Sequence, residues 1–307
     1  MFSFLYYQLA KRLLIRSKKD KMERMIFGQK IWKPEQGSKM IEELLCSDSP
    51  CMIARIGSVE MQAVNDVYNV RFHLKNEISD VKINTLYTNA GFFPKDKALV
   101  PQFEKVYRDA CAELDLMAIL HNRDEDYWVH SINPNVQYTR LTTLEPYYWP
   151  EPWSAVLEGK TVLVVSPFAE LIQKQYQNRQ YLFANQSVLP AFTLKTIRAV
   201  QTIGDNTEGF RDWFEALEYM KKQIEKEDFD VAILGCGAYA FPLAAHCKRL
   251  GKKSVVMGGA TQILFGIKGK RWDQSLVVSK MYNSYWQYPS ENERPRGFDQ
   301  VENGCYW

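Results

Sequence analysis

Glycines and basic residues fall close together between residues 231 and 272, in a pattern suited to binding phosphate. Glycine turns leave backbone N–H groups accessible, and these groups bind the oxygens of a diphosphate together with ammonium and guanidinium groups. The candidate ligand-binding residues here are Gly235, Gly237, Gly258, Gly259, Lys268, Lys270 and Arg271. The basic residues have a simpler alternative explanation, in which they form a solvated surface loop.

A second candidate turn lies far upstream, after the apolar run Cys51–Ile56. Gly57 and Ser58 follow that run and lead into a helical pattern, so the N–H groups of the first helical turn are open to an anion. Arg55 and the two turn residues are therefore candidates for ligand binding. Glu60, also in the turn, is a candidate for catalysis and for binding Mg²⁺ or Mn²⁺. The alternative is that Ser58 caps the helix and Glu60 stabilises its first turn.

A third junction follows the β-branched run Lys160–Ser166, where Pro167 ends the strand and a helical pattern begins. Ser166 is a candidate for ligand binding because it lies where the strand ends. Glu170 is a candidate catalytic carboxylate, and its alternative role is to stabilise the first turn of the helix.

These candidates require a framework that brings distant turns together. Val231–Leu234, a helix over 239–250 and Ser254–Met257 form a βαβ unit, and the runs after residues 51 and 160 have the same strand–turn–helix order. The pattern predicts an α/β, Rossmann-like fold with a mostly parallel sheet and helices on both faces. Ligands bind such sheets at the carboxyl ends of the strands. We therefore expect one composite site, with residues 258–271 on the phosphate side and Glu60 toward a metal or sugar.

Other segments are less regular. Leu86–Pro94 is predicted to be a turn with exposed aromatic side chains, and Trp128–Pro152 to be an irregular connection because it contains four prolines. That connection suggests a lid or an acceptor-binding surface, with an inter-domain linker as the alternative. The segment Tyr282–Trp307 is so rich in aromatic residues that we expect it to pack on the domain, over the predicted crevice.

Three regions follow: an N-terminal amphipathic basic arm over 1–35, a Rossmann-like domain over 36–275, and a C-terminal tail over 276–307. Residues 2–24 combine an apolar helical face with a basic cluster, a composition that can bind an anionic membrane surface. Packing of that helix on its own domain is the alternative.

Composition excludes several classes of protein. The formal net charge of +3 is too small to indicate a nucleic acid partner. The six cysteines include no C-x-x-C pair, which favours reduced thiols over a zinc site. No apolar run is long enough to span a membrane. We expect a cytoplasmic protein, peripheral to the inner membrane face.

Motifs exclude further classes. The turn GCGAYA has Ala240 at the third glycine position of a dinucleotide fingerprint, and Met257 and Gly258 stand where a ribose-binding carboxylate is expected. An NAD-dependent enzyme is therefore disfavoured. No P-loop, G-x-S-x-G or H-E-x-x-H motif occurs, which disfavours the common NTPase, hydrolase and metalloprotease mechanisms.

Three segments resemble bacterial glycosyltransferases of the GT-D type: ARIGSVE (Ala54–Glu60), DVAILGCGAYAFPLAAH and GGATQILFGIKGKRW. The resemblance covers roughly residues 40–275. It implies a Rossmann-like enzyme with an Asp-x-Glu motif that helps to hold a metal, Mn²⁺ or Mg²⁺, and a nucleotide sugar. Here Ser58 stands at the Asp position and Glu60 at the Glu position. A serine is a poorer metal ligand, so Lys and Arg side chains could neutralise the diphosphate instead.

The resemblance implies transfer of a sugar from a nucleotide diphosphate donor, with a UDP-sugar expected, to a glycan or lipid-linked acceptor in bacterial surface polysaccharide or glycoprotein assembly. Glu170 is the first candidate for a general base and Asp115 the second. Two alternatives stay open: another polysaccharide-modifying transferase, and a non-catalytic protein that binds a sugar nucleotide or a glycan.

Overall fold

Every strand in the described part of the chain belongs to one parallel sheet. The computed structural model describes Phe4, Tyr6, Tyr7, Leu9 and residues 29–203, 206–295, 297–301 and 303–307. The strands are β1 (Ile31–Trp32), β2 (Cys51–Ala54), β3 (Leu116–Ile119), β4 (Gln137–Arg140), β5 (Thr161–Ser166), β6 (Thr193–Arg198), β7 (Val231–Leu234) and β8 (Lys253–Val256). Their order across the sheet is β1-β4-β3-β2-β8-β7-β5-β6, and every pairing is parallel.

Helices connect most of the strands. In the described residues they are α1 (Pro34–Cys46), α2 (Ser58–Arg71), α3 (Asp80–Ala90), α4 (Val100–Cys111), α5 (Glu125–Ile132), α6 (Ala169–Gln177), α7 (Arg179–Leu182), α8 (Trp213–Ile224), α9 (Ala240–Arg249), α10 (Ala260–Leu264) and α11 (Lys270–Asp273). None of them is long and apolar enough to cross a membrane.

Strands covered on both faces must be apolar throughout, and β2, β3 and β7 are buried at every position. Alternate side chains of the sheet contribute to two separate hydrophobic cores. The first core includes Leu234 and residues of α2, α4 and α9. The second includes Ile233 and residues of α1, α6 and α10. The predicted α/β fold with helices on both faces of a parallel sheet is therefore confirmed.

The prediction for Leu86–Pro94 is wrong. Residues up to Ala90 belong to helix α3, which ends where Gly91 adopts a left-handed conformation with φ 76°. Phe92 and Phe93 then enter the first core and are 0% and 2% exposed. Phe92 packs against Trp213 with ring centroids 6.0 Å apart. The aromatic residues are thus core residues, held by a helix that the turn prediction missed.

The prediction of an irregular Trp128–Pro152 segment is also wrong in part. The segment contains the end of α5 and the whole of β4, which lies between β1 and β3 in the sheet. Tyr138 and Thr139 of that strand are buried. The four prolines fall outside the strand, so they do not interrupt its hydrogen bonds. This segment is part of the framework and not a lid or a linker between domains.

The sheet begins inside the range predicted as an arm, because Ile31 and Trp32 pair with β4. Phe4 and Tyr7 pack with Tyr127 in the first core, with centroids 4.8 Å apart in both pairs. Residues 10–28, and with them the whole of the predicted basic cluster, lie outside the described residues. The membrane role of that cluster stays a prediction.

Candidate functional site

A cavity of about 400 Å³ lies at the carboxyl ends of β2, β8, β7 and β5. We call this cavity the crevice. It brings together ten of the residues that the sequence singles out: Arg55, Gly57, Ser58, Glu60, Ser166, Gly235, Gly237, Gly258, Gly259 and Arg271. Their convergence follows from the parallel sheet, since all parallel strands end at the same edge.

Four other candidates lie elsewhere. Glu170 is exposed on α6 and does not line the crevice. Asp115 accepts hydrogen bonds from Met52 N and from Lys248 Nζ, at the end of the sheet where β2 begins. Both assignments as a general base are therefore wrong for a reaction in the crevice.

Lys268 and Lys270 do not line the crevice either. The Lys268 ammonium lies 5.1 Å from the centre of the Tyr282 ring, and Lys270 Nζ donates to the carbonyl of Asn303 at 3.3 Å. Of the three predicted basic residues Lys268, Lys270 and Arg271, only Arg271 lines the crevice. The two lysines instead contact the C-terminal tail.

The floor of the crevice is a close contact between Arg55 and Gly258. Gly258 has φ 60°, and a Cβ at this position would overlap Arg55 Nη2 and lie 2.7 Å from Cζ. Only glycine combines this conformation with so close an approach. Among the described residues, no hydrogen bond or ion pair within 4 Å holds the half-buried Arg55 guanidinium.

The N-terminus of helix α2 borders that floor. Its N-cap residue is Gly57 rather than Ser58, and no side chain accepts from the first helical N–H groups as a cap. The Glu60 carboxyl group folds back over Gly57, so that a Cβ there would lie 2.6 Å from Glu60 Cδ. The hypothesis of a Ser58 cap is therefore wrong, and Ser58 is exposed at the first helical position.

Glu60 is the only acidic side chain among the described lining residues, and it is 8% exposed. Burial raises its pKa, while the charge of Arg55 acts in the opposite direction. Glu145, which the sequence analysis did not single out, lies outside the crevice and interacts electrostatically with Arg55. Burial raises the pKa of Glu145 to about 7, with the Arg55 charge again opposing the shift.

The donor set is too small to hold a divalent metal without a substrate. Mg²⁺ and Mn²⁺ favour several oxygen ligands, and Mg²⁺ in nucleotide sites is bound by one or two carboxylates together with substrate phosphates. The acidic ligand that the crevice offers is Glu60, already folded onto its own helix, and the nearby Ser58 adds only a neutral hydroxyl. No cluster of three or more His, Cys, Asp or Glu side chains suited to a metal occurs in the described parts of the chain.

One wall of the crevice is formed by the C-terminal tail. Arg271 Nη1 donates to Tyr306 Oη at 2.8 Å, and Gln262 Nε2 donates to the Tyr306 carbonyl at 2.9 Å. Trp307 packs its ring against Phe168 with centroids 5.9 Å apart. Tyr306 and Trp307 both line the cavity. The aromatic composition of the tail was the sequence signal for this wall.

The opposite wall consists of the end of α3 and the segment after β6, and sequence reasoning missed it. Thr202 Oγ1 donates to the carbonyl of Gly91 at 2.5 Å and shares a hydrogen bond with Tyr239 Oη at 2.7 Å. Asn89 and Gln201 line the cavity beside this link. No motif marks these residues, because only the folded chain places them together.

Comparisons with known proteins give weak similarities. No family model matches the chain, and no curated protein matches it. A solved structure described as a selenomethionine-substituted domain of unknown function 1792 is 11% identical, over 83% of this chain and 82% of that chain, with a TM-score of 0.47. A second, described as that domain having a distinct glycosyltransferase fold, is 11% identical over 78% and 80%, with a TM-score of 0.45. Similarity at this level does not assign the chain to that family.

Proposed function

We propose that the crevice binds the diphosphate of a nucleotide sugar, such as a UDP-sugar, and that the protein is a glycosyltransferase. The acceptor would be a glycan or a lipid-linked saccharide of bacterial surface polysaccharide or glycoprotein assembly. One observation carries the proposal: a half-buried guanidinium at a strand end is packed on Gly258 without an acidic partner in hydrogen-bond range among the described residues. A half-buried guanidinium that makes no hydrogen bond can donate to an anionic ligand, and such charge-assisted hydrogen bonds are strong.

The surroundings of Arg55 favour a diphosphate. Arg271 adds a second guanidinium to the cavity. The N-terminus of α2, where the N-cap residue Gly57 has no side chain to act as a cap, adds N–H groups that Glu60 does not use and the positive end of the helix dipole. Together these groups would stabilise the charge that develops on a departing nucleoside diphosphate.

We assign the role of proton acceptor to Glu60. In the proposed step, an acceptor hydroxyl attacks the anomeric carbon, and the bond from that carbon to the diphosphate oxygen breaks with its electron pair moving to the diphosphate. The hydroxyl proton passes to Glu60. A raised pKa makes an ionised carboxylate a stronger base, which suits this role. No part of this step requires a metal held by the protein.

Calorimetric titration with UDP tests the binding part of the proposal. We expect Arg55→Met to weaken UDP binding by about 10- to 150-fold, the range for a lost charged hydrogen bond. Arg211→Met is the matched control, since Arg211 is paired with Glu215 on the surface and its side chain is 81% exposed. Equal UDP affinities in the two variants would contradict the proposed phosphate site.

Turnover of UDP-sugars tests the catalytic part. Glu60→Gln should keep UDP binding and lose most donor turnover, about 100-fold or more for a lost general base. Full turnover at saturating donor in this variant would contradict the assignment.

A second candidate function is a non-catalytic protein that binds a sugar nucleotide. It is favoured by the poor metal ligand Ser58 and by the Glu60 carboxyl group folded onto Gly57. This alternative predicts that the wild type binds a nucleotide sugar but turns over none of the nucleotide sugars tested.

A cytoplasmic location at the inner membrane face belongs to the same proposal, because a lipid-linked acceptor would be presented there. The support is the basic amphipathic composition of residues 2–24. Replacing the basic cluster by glutamine should reduce partition onto anionic vesicles and leave partition onto neutral vesicles unchanged. The residues to replace are Arg16, Lys18, Lys19, Lys21 and Arg24. Unaltered binding to anionic vesicles would remove the membrane role.

A further inference from the structure

The wall opposite the C-terminal tail carries two side-chain amides with no hydrogen-bond partner among the described residues. Asn89 lies in the last turn of α3, and Gln201 lies in the segment after β6. Both are half-buried and line the crevice. Each amide offers two N–H donors and a carbonyl acceptor.

The backbone that carries these amides is fixed. Gln201 N donates to Glu208 Oε1 at 3.1 Å, and its carbonyl accepts from Asn206 Nδ2 at 2.8 Å. Just before it, Ala199 N donates to the carbonyl of Ser166 at 3.1 Å. The backbone of Gln201 is thus held from both sides while its side chain is uncommitted.

Asn89 is held just as firmly. The Thr202 hydroxyl joins the carbonyl of Gly91 to Tyr239, and the Tyr239 ring stacks on Trp213 with centroids 5.1 Å apart. The link places the end of α3 directly beside Gln201. The backbone that carries the two amides is therefore preorganised, and only their side-chain rotamers would have to be ordered when a ligand binds.

The chemistry of this wall differs from that of the floor. The lining residues that form it are neutral: Asn89, Ala90, Gly91, Ala199, Val200, Gln201, Thr202 and Tyr239. The guanidinium of Arg55 lies on the floor against Gly258, and Arg271 lies on the tail side with Tyr306. Neutral amides pair well with vicinal hydroxyls, since each partner both donates and accepts.

We propose that Asn89 and Gln201 bind hydroxyl groups of the sugar carried by the nucleotide donor, and so determine which donor sugar is accepted. This inference rests on the proposed function, because the floor must hold the diphosphate for the sugar to reach the wall. A site built to bind hydroxyl groups discriminates against sugars that lack them, since its own polar groups are then left unpaired.

The experiment compares the affinity for a nucleoside diphosphate with and without its sugar. Calorimetry would give dissociation constants for UDP, UDP-glucose, UDP-galactose and UDP-N-acetylglucosamine, and for the pair GDP and GDP-mannose. The ratio of the two constants in each pair is the contribution of the sugar. We expect Asn89→Ala and Gln201→Ala each to reduce that contribution by about 2- to 12-fold, the range for one neutral hydrogen bond.

Affinity for the unconjugated diphosphate should be unchanged in both variants, which also shows that they are folded. Asn84→Ala is the matched control, because Asn84 is on the same helix, exposed, and bonded to Lys95 at the surface. Two results would overturn the inference: a contribution of the sugar to affinity that is unchanged in both variants, or a wild type that binds the diphosphate but gains no affinity from the sugar. Failure of the wild type to bind UDP or GDP would instead refute the proposed function, and this inference with it.

Discussion

The contact between Gly258 and Arg55 allows a sharp test, because one added methyl group should separate ligand binding from folding. Gly258→Ala places a Cβ where Arg55 Nη2 now lies, 2.7 Å from Cζ. The overlapping atoms are the far end of a flexible side chain. Arg55 can therefore swing away at little cost to the fold, but it then leaves the floor of the crevice.

Two effects of different size follow from this geometry. The first is the cost of alanine at φ 60°, which is about 1–2 kcal/mol of stability for a left-handed residue. The second is the loss of a charged hydrogen bond to the ligand, worth about 1.5–3 kcal/mol and equivalent to a 10- to 150-fold weaker affinity for UDP. The two ranges overlap, so a variant that carries only the backbone cost is needed to separate the two effects.

Gly251→Ala is the matched control. Gly251 has φ 77°, and nothing lies within 4 Å of the Cβ that the substitution would add. It therefore carries the same backbone cost without touching Arg55. Urea denaturation should show similar losses of stability in the two variants, while calorimetry should show weaker UDP binding in Gly258→Ala alone. If Gly258→Ala binds UDP as tightly as Gly251→Ala does, the role of Arg55 on the floor is refuted.

Three further predictions concern titration and the tail wall. Burial raises the pKa of Glu125 to about 8, so the folded state binds a proton more tightly than the unfolded state, and stability should fall as pH rises from about 4.5 to 8. Glu125→Gln has no such titration, and a difference in free energy of unfolding between wild type and variant that is independent of pH would contradict the shift. Burial raises the pKa of Glu60 and an anion bound at Arg55 should raise it further, so the affinity for UDP measured by calorimetry should fall more steeply with rising pH in the wild type than in Glu60→Gln, and identical pH profiles would contradict this coupling. Tyr306→Phe removes the hydroxyl that accepts from Arg271 Nη1, so UDP affinity should fall by about 2- to 12-fold, and unchanged affinity would show that Tyr306 does not position this guanidinium.

Local signals were sufficient to predict the framework of the site. The β-branched and apolar runs that became β5 and β7 are buried strands, and the glycines after β7 and β8 mark the turns. Once the sheet is parallel, the edge at which these turns meet is fixed. For this reason most of the candidate residues converge in the crevice, although no contact between individual residues was predicted.

The misplaced candidates had signals that were equally compatible with another role. An acidic residue at position 170 is compatible with a catalytic role and equally with stabilising the first turn of α6, where Glu170 lies exposed. Lys270 contacts the tail through the carbonyl of Asn303. Asn89 and Gln201 had no signal, because a single amide is ordinary in a helix end or a loop. Their significance comes from the link through Thr202, which joins segments far apart in the sequence.

The electrostatics of the floor suggest a reason for the position of Glu60 beside the proposed phosphate site. Arg55 opposes the rise in the pKa of Glu60, so an unliganded crevice keeps this carboxyl group more acidic than burial alone would. An anion that binds to Arg55 cancels that effect, and the Glu60 carboxylate becomes a stronger base. As the glycosidic bond breaks, further negative charge collects on the diphosphate and strengthens the attraction of Glu60 for a proton. The proton affinity of Glu60 would thus rise at the stage of the reaction at which the acceptor hydroxyl loses its proton. This timing would couple departure of the diphosphate to activation of the acceptor.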